Sequence, residues 1–303
     1  MKKKFVAILA TSLVGLGLTG FYTLKGTAAE STSNESSQQY SSLEANSTSH
    51  SLVSVQNKML NAIDHYQSAT GSYRAILTPI GVDEIVDFEV YRGANPRSHV
   101  KVMDNKSKVL KETAFDGNMF MSINHTNKTY LQNKTATQQQ TVALGQNTPR
   151  SYKNDQGELV FVKRQDPAFS GVANDVLFPQ DYAFWLTPDN HKVVGEEKLL
   201  LNRTSIVIEG EHDDPILAEK HQSTHFKMWI DKETGVLLKL VETNSKDEVT
   251  NSIEVLSIEF DKQQDVSSLS KMQAVPSDYK DVSKKLRDRE NREQKKSEKE
   301  NEN

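Results

Sequence analysis

"HFKMWIDKETGVLLKLVE", residues 225–242, divides into two runs of alternating apolar side chains joined by a charged turn ending in Gly235. That period of two is the spacing at which side chains of an extended strand share a face. With "DKETG" (231–235) as the loop, pairing sets Ile230 against Val236, Met228 against Leu238 and Phe226 against Leu240. These are three apolar cross-strand pairs on one face. The other face sets Trp229 against Leu237, Lys227 against Lys239 and His225 against Val241. Two opposed lysines need water, so this reading gives one dry face and one partly wet face.

The same period recurs along much of the chain. In "EIVDFEVYR" (84–92) Val86, Phe88 and Val90 alternate with Asp87, Glu89 and Tyr91. "SHVKVMD" (98–104) aligns Val100 with Val102, and "NMFMSIN" (118–124) aligns Met119, Met121 and Ile123. "KTYLQ" (128–132), "ELVFVKR" (158–164), "RTSIVIEGE" (203–211) and "NSIEVLSIEF" (251–260) continue the series. Short strands separated by turn residues describe an antiparallel meander.

Two stretches carry a helical period instead. In "SVQNKMLNAIDHYQ" (54–67), Ser54 is placed to cap a helix whose one face holds Val55, Met59, Ile63 and Tyr66. "ATGS" (69–72) is expected to stop it, with Gly71 as the breaker. In "SGVANDVLFPQDYAFWLTPDN" (170–190), Pro179 is expected at the first position of a second short helix carrying Tyr182, Trp185 and Leu186. This aromatic segment lies between two groups of strands, where it can cover the concave side of the sheet. The fold class is therefore α+β, an antiparallel β-sheet with helical segments over one side.

The ends differ from the middle. Lys2, Lys3 and Lys4 precede an uncharged run from Phe5 to Tyr22, and small residues lead to a cleavage position after Ala29. That is the pattern of an export signal over residues 1–29. The alternative is an uncleaved anchor that would tether the protein to the cytoplasmic membrane. Residues 30–51 are rich in Ser, Asn and Gln with hardly an apolar side chain, the composition of a flexible linker. The folded domain is expected over 52–279, and residues 280–303 form a charged tail.

Removing residues 1–29 takes four lysines and no acid, leaving 33 basic against 41 acidic side chains, a formal charge of −8. A nucleic-acid binder would normally show a basic field. With no cysteine in the chain, disulfides, thiolate metal sites and cysteine nucleophiles are excluded. The expected location is extracytoplasmic, in the secreted fraction or the cell envelope of a bacterium.

No G-x-S-x-G, H-E-x-x-H, P-loop or G-x-G-x-x-G motif occurs, so the chain is read as a non-enzyme. The densest polar cluster, "EGEHDDPILAEKHQSTH" (209–225), brings Glu209, Glu211, His212, Asp213, Asp214, His221 and His225 close in sequence. Such ligands can hold Zn²⁺ when a scaffold fixes them. Here the histidines are expected in or beside a loop, so a solvated acidic surface is the simpler reading. Neither a metal nor a cofactor is assigned.

Four of these stretches carry a resemblance. The opening helix with "SYRAILTP", the pair in "VDFEVYRGANPRSHVKV", the unit "FDGNMFMSINHTNKTYLQ" and the hairpin at 225–242 together resemble the LolA/LolB-like lipoprotein carriers. They also resemble the related RseB/MucB-type N-terminal domains and lipoprotein-sorting-like proteins. The resemblance spans most of residues 52–262 and rests on loose sequence habits without a catalytic signature. It departs from the carriers in the serine-rich linker and the charged tail. The resemblance implies a curved antiparallel β-sheet, an incomplete barrel, with helices covering its open, concave side, and an apolar cavity between sheet and helices that takes lipid chains.

On that basis the candidate ligand-binding residues are Val86, Phe88, Val90, Met119, Met121, Leu177, Phe178, Tyr182, Phe184, Trp185 and Met228. Phe88, Met119, Met121 and Met228 read most simply as plain core; their functional reading is a soft wall for a flexible ligand. The expected partner is a lipid or lipidated protein. The alternative is an envelope interaction module that binds a membrane-associated protein, as RseB-like domains do.

Overall fold

The computed structural model describes residues 52–134, 150–153, 159–186, 191–262, 274–284 and 288. The expected export signal, the serine-rich linker and most of the charged tail lie outside these residues. Helix α1 (Leu52–Leu60) leads through a 3-10 turn into β1 (Ser68–Leu77), β2 (Val82–Tyr91), β3 (Arg97–Asp104), β4 (Val109–Phe115), β5 (Met119–Asn124) and β6 (Thr129–Lys134). A small hairpin of β7 (Ser151–Lys153) and β8 (Leu159–Phe161) follows, then a helical turn (Gly171–Ala173), α2 (Asn174–Leu177) and α3 (Gln180–Ala183). The second group is β9 (His191–Leu200), β10 (Arg203–Glu211), α4 (Pro215–His221), β11 (His225–Asp231), β12 (Leu237–Thr243) and β13 (Val249–Phe260). β14 (Lys280–Asp281) comes last.

The large sheet has twelve strands in the order β14-β6-β5-β4-β3-β2-β1-β13-β12-β11-β10-β9. It is two antiparallel meanders, β1 to β6 and β9 to β13, joined where β1 pairs with β13. Only β14 runs parallel to its neighbour. The terminal strands do not pair with each other, so the sheet is open, as the incomplete-barrel reading requires. Among the described residues no helix is long and apolar enough to cross a membrane.

The alternation seen in the sequence makes the core. Ile208, Met228, Leu240, Ile253 and Ala75 follow one another across five neighbouring strands and are all buried. Val255, Tyr73, Val86 and Val102 form a second such row. Residues of α1, α2 and α3 bury against this face in the same apolar cluster.

Ser54 does not cap the opening helix, because α1 already begins at Leu52 and Ser54 is its third residue. Three further expectations need correction. The first concerns Gly71, which does not end the opening helix: α1 stops at Leu60, and "ATGS" lies inside β1. A Cβ at Gly71 would stand 2.1 Å from the carbonyl oxygen of Ser257, so glycine is there to let β13 approach.

The hairpin register is the second correction. Met228 pairs with Leu240, Lys227 with Val241 and Trp229 with Lys239, and a bulge falls between Trp229 and Ile230. The extra residue arises at the turn, where the Asp231 carboxylate accepts from the Thr234 amide (2.8 Å), the Thr234 hydroxyl (2.6 Å) and Arg203 Nε (2.8 Å). The two lysines are therefore not opposed. Lys227 pairs with Glu209 and Lys239 with Glu254, and both ammonium groups lie near the Trp229 ring.

Third, Pro179 stands one residue earlier than expected, at the N-cap of α3. Trp185 and Leu186 follow that helix instead of riding on it.

Candidate functional site

The candidate site is the contact between the buried sheet face and the chain from Asp166 to Leu186. This segment has little regular structure of its own: one helical turn and two four-residue helices. Side-chain bonds to the surrounding elements position it.

Arg92, just past β2, forms a buried ion pair with Asp166 at 2.9 Å. The same guanidinium donates to Tyr66 Oη (2.5 Å) and Asn174 Oδ1 (3.0 Å). Asp166 also accepts from the amides of Ala168 (3.1 Å) and Ser170 (2.7 Å). Burial alone would raise its pKa, but the Arg92 charge and these bonds hold it down to about 2. Two tyrosines complete the attachment: Tyr66 donates to the Leu177 carbonyl (2.6 Å), and Tyr73 of β1 to the Val172 carbonyl (2.7 Å). On the other side Gln56 of α1 donates to the carbonyls of Ala183 (2.9 Å) and Leu186 (2.8 Å).

Of the candidate ligand-binding residues, Val86, Phe88, Val90, Leu177, Phe178, Tyr182, Phe184 and Met228 lie in one buried apolar cluster. Trp185 packs against it and is half-buried. Met119 and Met121 lie outside that cluster: Met121 pairs through Ala114 and His99 to Glu89, so β5 carries both methionines on the opposite face of the sheet from Val86, Phe88 and Val90. On the Val90 face of the sheet, the Phe169 ring meets Phe115 of β4 at 4.7 Å and Phe120 of β5 at 6.3 Å.

Beneath Trp185 is a polar group within the apolar region. Glu242 of β12 accepts from His212 Nε2 (2.8 Å), His221 Nδ1 (2.9 Å) and Ser223 Oγ (2.8 Å). The Glu242 side chain is 2 % exposed and that of His212 is 0 % exposed. Burial pushes the Glu242 pKa up, yet the hydrogen bonds from the two imidazoles and the hydroxyl bring it down to about 2. The Trp185 ring stands edge-on to both imidazoles, 4.7 Å from His212 and 5.5 Å from His221.

Asp214 caps α4 by accepting from the Ile216 amide (2.9 Å), which sets His221 at the inner end of that helix. His225 is apart, exposed and 3.5 Å from Glu211. Among the described residues no group of three or more His, Asp or Glu is arranged to hold a metal ion.

No family model matches this chain, and no curated protein does. Its fold is similar to solved structures. One is the Pseudomonas aeruginosa MucA/MucB complex, at 15 % identity and TM-score 0.42, covering 76 % of this chain and 63 % of that one. A second is the lipoprotein LppX of Mycobacterium tuberculosis, at 10 % identity and TM-score 0.35, covering 74 % and 98 %. A third is LprF of Mycobacterium bovis, at 13 % identity and TM-score 0.34, covering 77 % and 100 %. MucB belongs to the group that the sequence resembles. These are likenesses of fold, and no residue role is carried over from them.

Glu242 has no place among the sequence-derived candidates. It lies 30 residues from His212, too far for a local motif. A signal existed all the same: Leu238, Leu240 and Glu242 share one alternation, so the carboxylate falls in an apolar register.

Proposed function

We propose that this is an exported, non-enzymatic binding protein that holds an apolar ligand, a lipid acyl chain or a lipidated protein, between the sheet and the segment from Asp166 to Leu186. The observation that carries the reading is the mismatch between this wall and its cover. A wide apolar face that includes Val86, Phe88, Val90 and Met228 is covered by helices of four residues. Such short helices have few internal hydrogen bonds and separate at low cost in free energy. An acyl chain entering beneath them gains about 0.8 kcal/mol per buried methylene. The polar bonds at Arg92, Tyr66, Tyr73 and Gln56 act as the hinges and fastenings of the cover.

Titration of the delipidated protein with a fluorescent fatty-acyl probe tests this. The wild type is expected to bind saturably and to gain thermal stability, and a variant with Phe184→Asp and Trp185→Asp to lose binding. Unchanged affinity in the folded variant would refute the cover.

A second reading, an envelope module that binds a membrane-associated protein, is favoured by the tip of the β9–β10 hairpin. Leu200 pairs with Arg203, so Leu201 and Asn202 form a two-residue turn, and both have positive φ (54° and 60°). A leucine is strained there. Leu199 and Leu201 are also exposed, at 69 % and 41 %. If this tip recognises a protein, Leu199→Lys with Leu201→Asn abolishes co-purification of the partner without lowering the melting temperature. Retained co-purification would reject this second reading.

A further inference from the structure

We infer that His212 Nδ1 is the polar anchor of the ligand site, and that the ligand's polar end is an uncharged hydrogen-bond donor, a hydroxyl being the simplest. The inference rests on the apolar-ligand reading above and specifies its ligand class.

The geometry fixes the chemistry of the ring. An ionised carboxylate only accepts, so the His212 nitrogen 2.8 Å from Glu242, Nε2, carries a proton. In the neutral ring the other nitrogen, Nδ1, then presents a lone pair. That nitrogen is buried and has no hydrogen-bond partner among the described residues. Buried acceptors are nearly always paired, and an unpaired one is costly.

Its surroundings are aromatic. The Trp185 ring lies 4.7 Å from the imidazole and Phe226 5.3 Å. Trp185 is the half-buried member of the pair, so a ligand that displaces it reaches His212 directly. An anionic head group is disfavoured, because the same imidazole is bonded to the ionised Glu242 and a second negative charge would be buried beside it. A hydroxyl donates to Nδ1, adds no charge and leaves the bond to Glu242 in place.

The test compares three lipids of equal chain length on the full protein: a monoacylglycerol, the fatty-acid methyl ester and the free fatty acid. The monoacylglycerol is expected to bind about ten-fold more tightly than the ester, the value of one hydrogen bond in a buried site. His212→Phe should erase that preference while keeping affinity for the ester. In wild-type protein with ¹⁵N-labelled imidazoles, the monoacylglycerol should shift the His212 Nδ1 resonance and the ester should not. This second measurement holds even if the variant does not fold. Equal affinity for monoacylglycerol and ester, with an unmoved Nδ1 resonance, overturns the anchor and leaves the apolar site standing. Binding of none of the three overturns the apolar-ligand reading, and the anchor with it.

Discussion

The indole of Trp185 meets the imidazole of His212 at 79°, with ring centres 4.7 Å apart, at the place where the cover of the sheet touches the buried Glu242 hub. The protein's other tryptophan, Trp229, lies between Lys227 and Lys239, and its strand neighbours Met228 and Ile230 are the ones that bury. The two indoles therefore report on opposite faces of the sheet. Binding of an acyl ligand is expected to change the emission of Trp185 and not that of Trp229. Trp185→Phe should silence the response, and Trp229→Phe should keep it.

The Glu242 hub gives the protein an acid limb. Its carboxyl has a folded pKa of about 2 against an ordinary 4.5. A depressed carboxyl contributes stability that is fully present above the unfolded value and is lost as pH falls through the folded one. The window here is pH 4.5 to 2, and the contribution is at most about 3 kcal/mol. Glu242→Gln should lower stability at pH 7 and flatten the decline across that window. Urea unfolding at pH 7, 4.5 and 3 measures both.

Arg92 and Asp166 fasten the covering segment from within. Removing one partner of a buried pair leaves an uncompensated charge, so Arg92→Met should cost about 3–5 kcal/mol. Adding Asp166→Asn to that variant should recover part of the loss, because the stranded charge goes with it. A double-mutant cycle by urea unfolding reads the coupling, and strictly additive losses would show that the two side chains act separately.

Gly71 marks the close seam between the two meanders. Gly71→Ala drives a methyl group into the Ser257 carbonyl at 2.1 Å, and backbone on both sides leaves little room to yield. A loss of about 1–3 kcal/mol is expected, as for other overpacked sites. Gly81 has nothing within 4 Å of a built Cβ, but its φ of +69° makes it a comparison for backbone strain without crowding.

The sequence made the strands with strict alternation legible, such as those at 82–91 and 225–231, because one buried face imposes a period of two. β1 was harder to see: its N-terminal half, "SATGS", is small and polar, and its glycine looks like a helix stop when the partner strand is unknown. β9, "HKVVGEEKLL", lacks alternation because it is the terminal strand of the sheet. The hairpin register slipped because a bulge cannot be read from residue types that pair equally well two positions apart. The aromatic cover was legible as a place, since Tyr182, Phe184 and Trp185 cluster there. Its polar fastenings were not, because Arg92, Asp166, His212 and Glu242 meet only after the sheet has brought distant strands together.

The central claim is that the sheet and its cover enclose an apolar ligand. Native mass spectrometry of the protein secreted by a bacterial host, followed by organic extraction, tests it most directly. A co-purifying species of lipid mass is expected, lost on extraction and restored by adding monoacylglycerol. A clean apo mass, unchanged after incubation with acyl lipids, would contradict it.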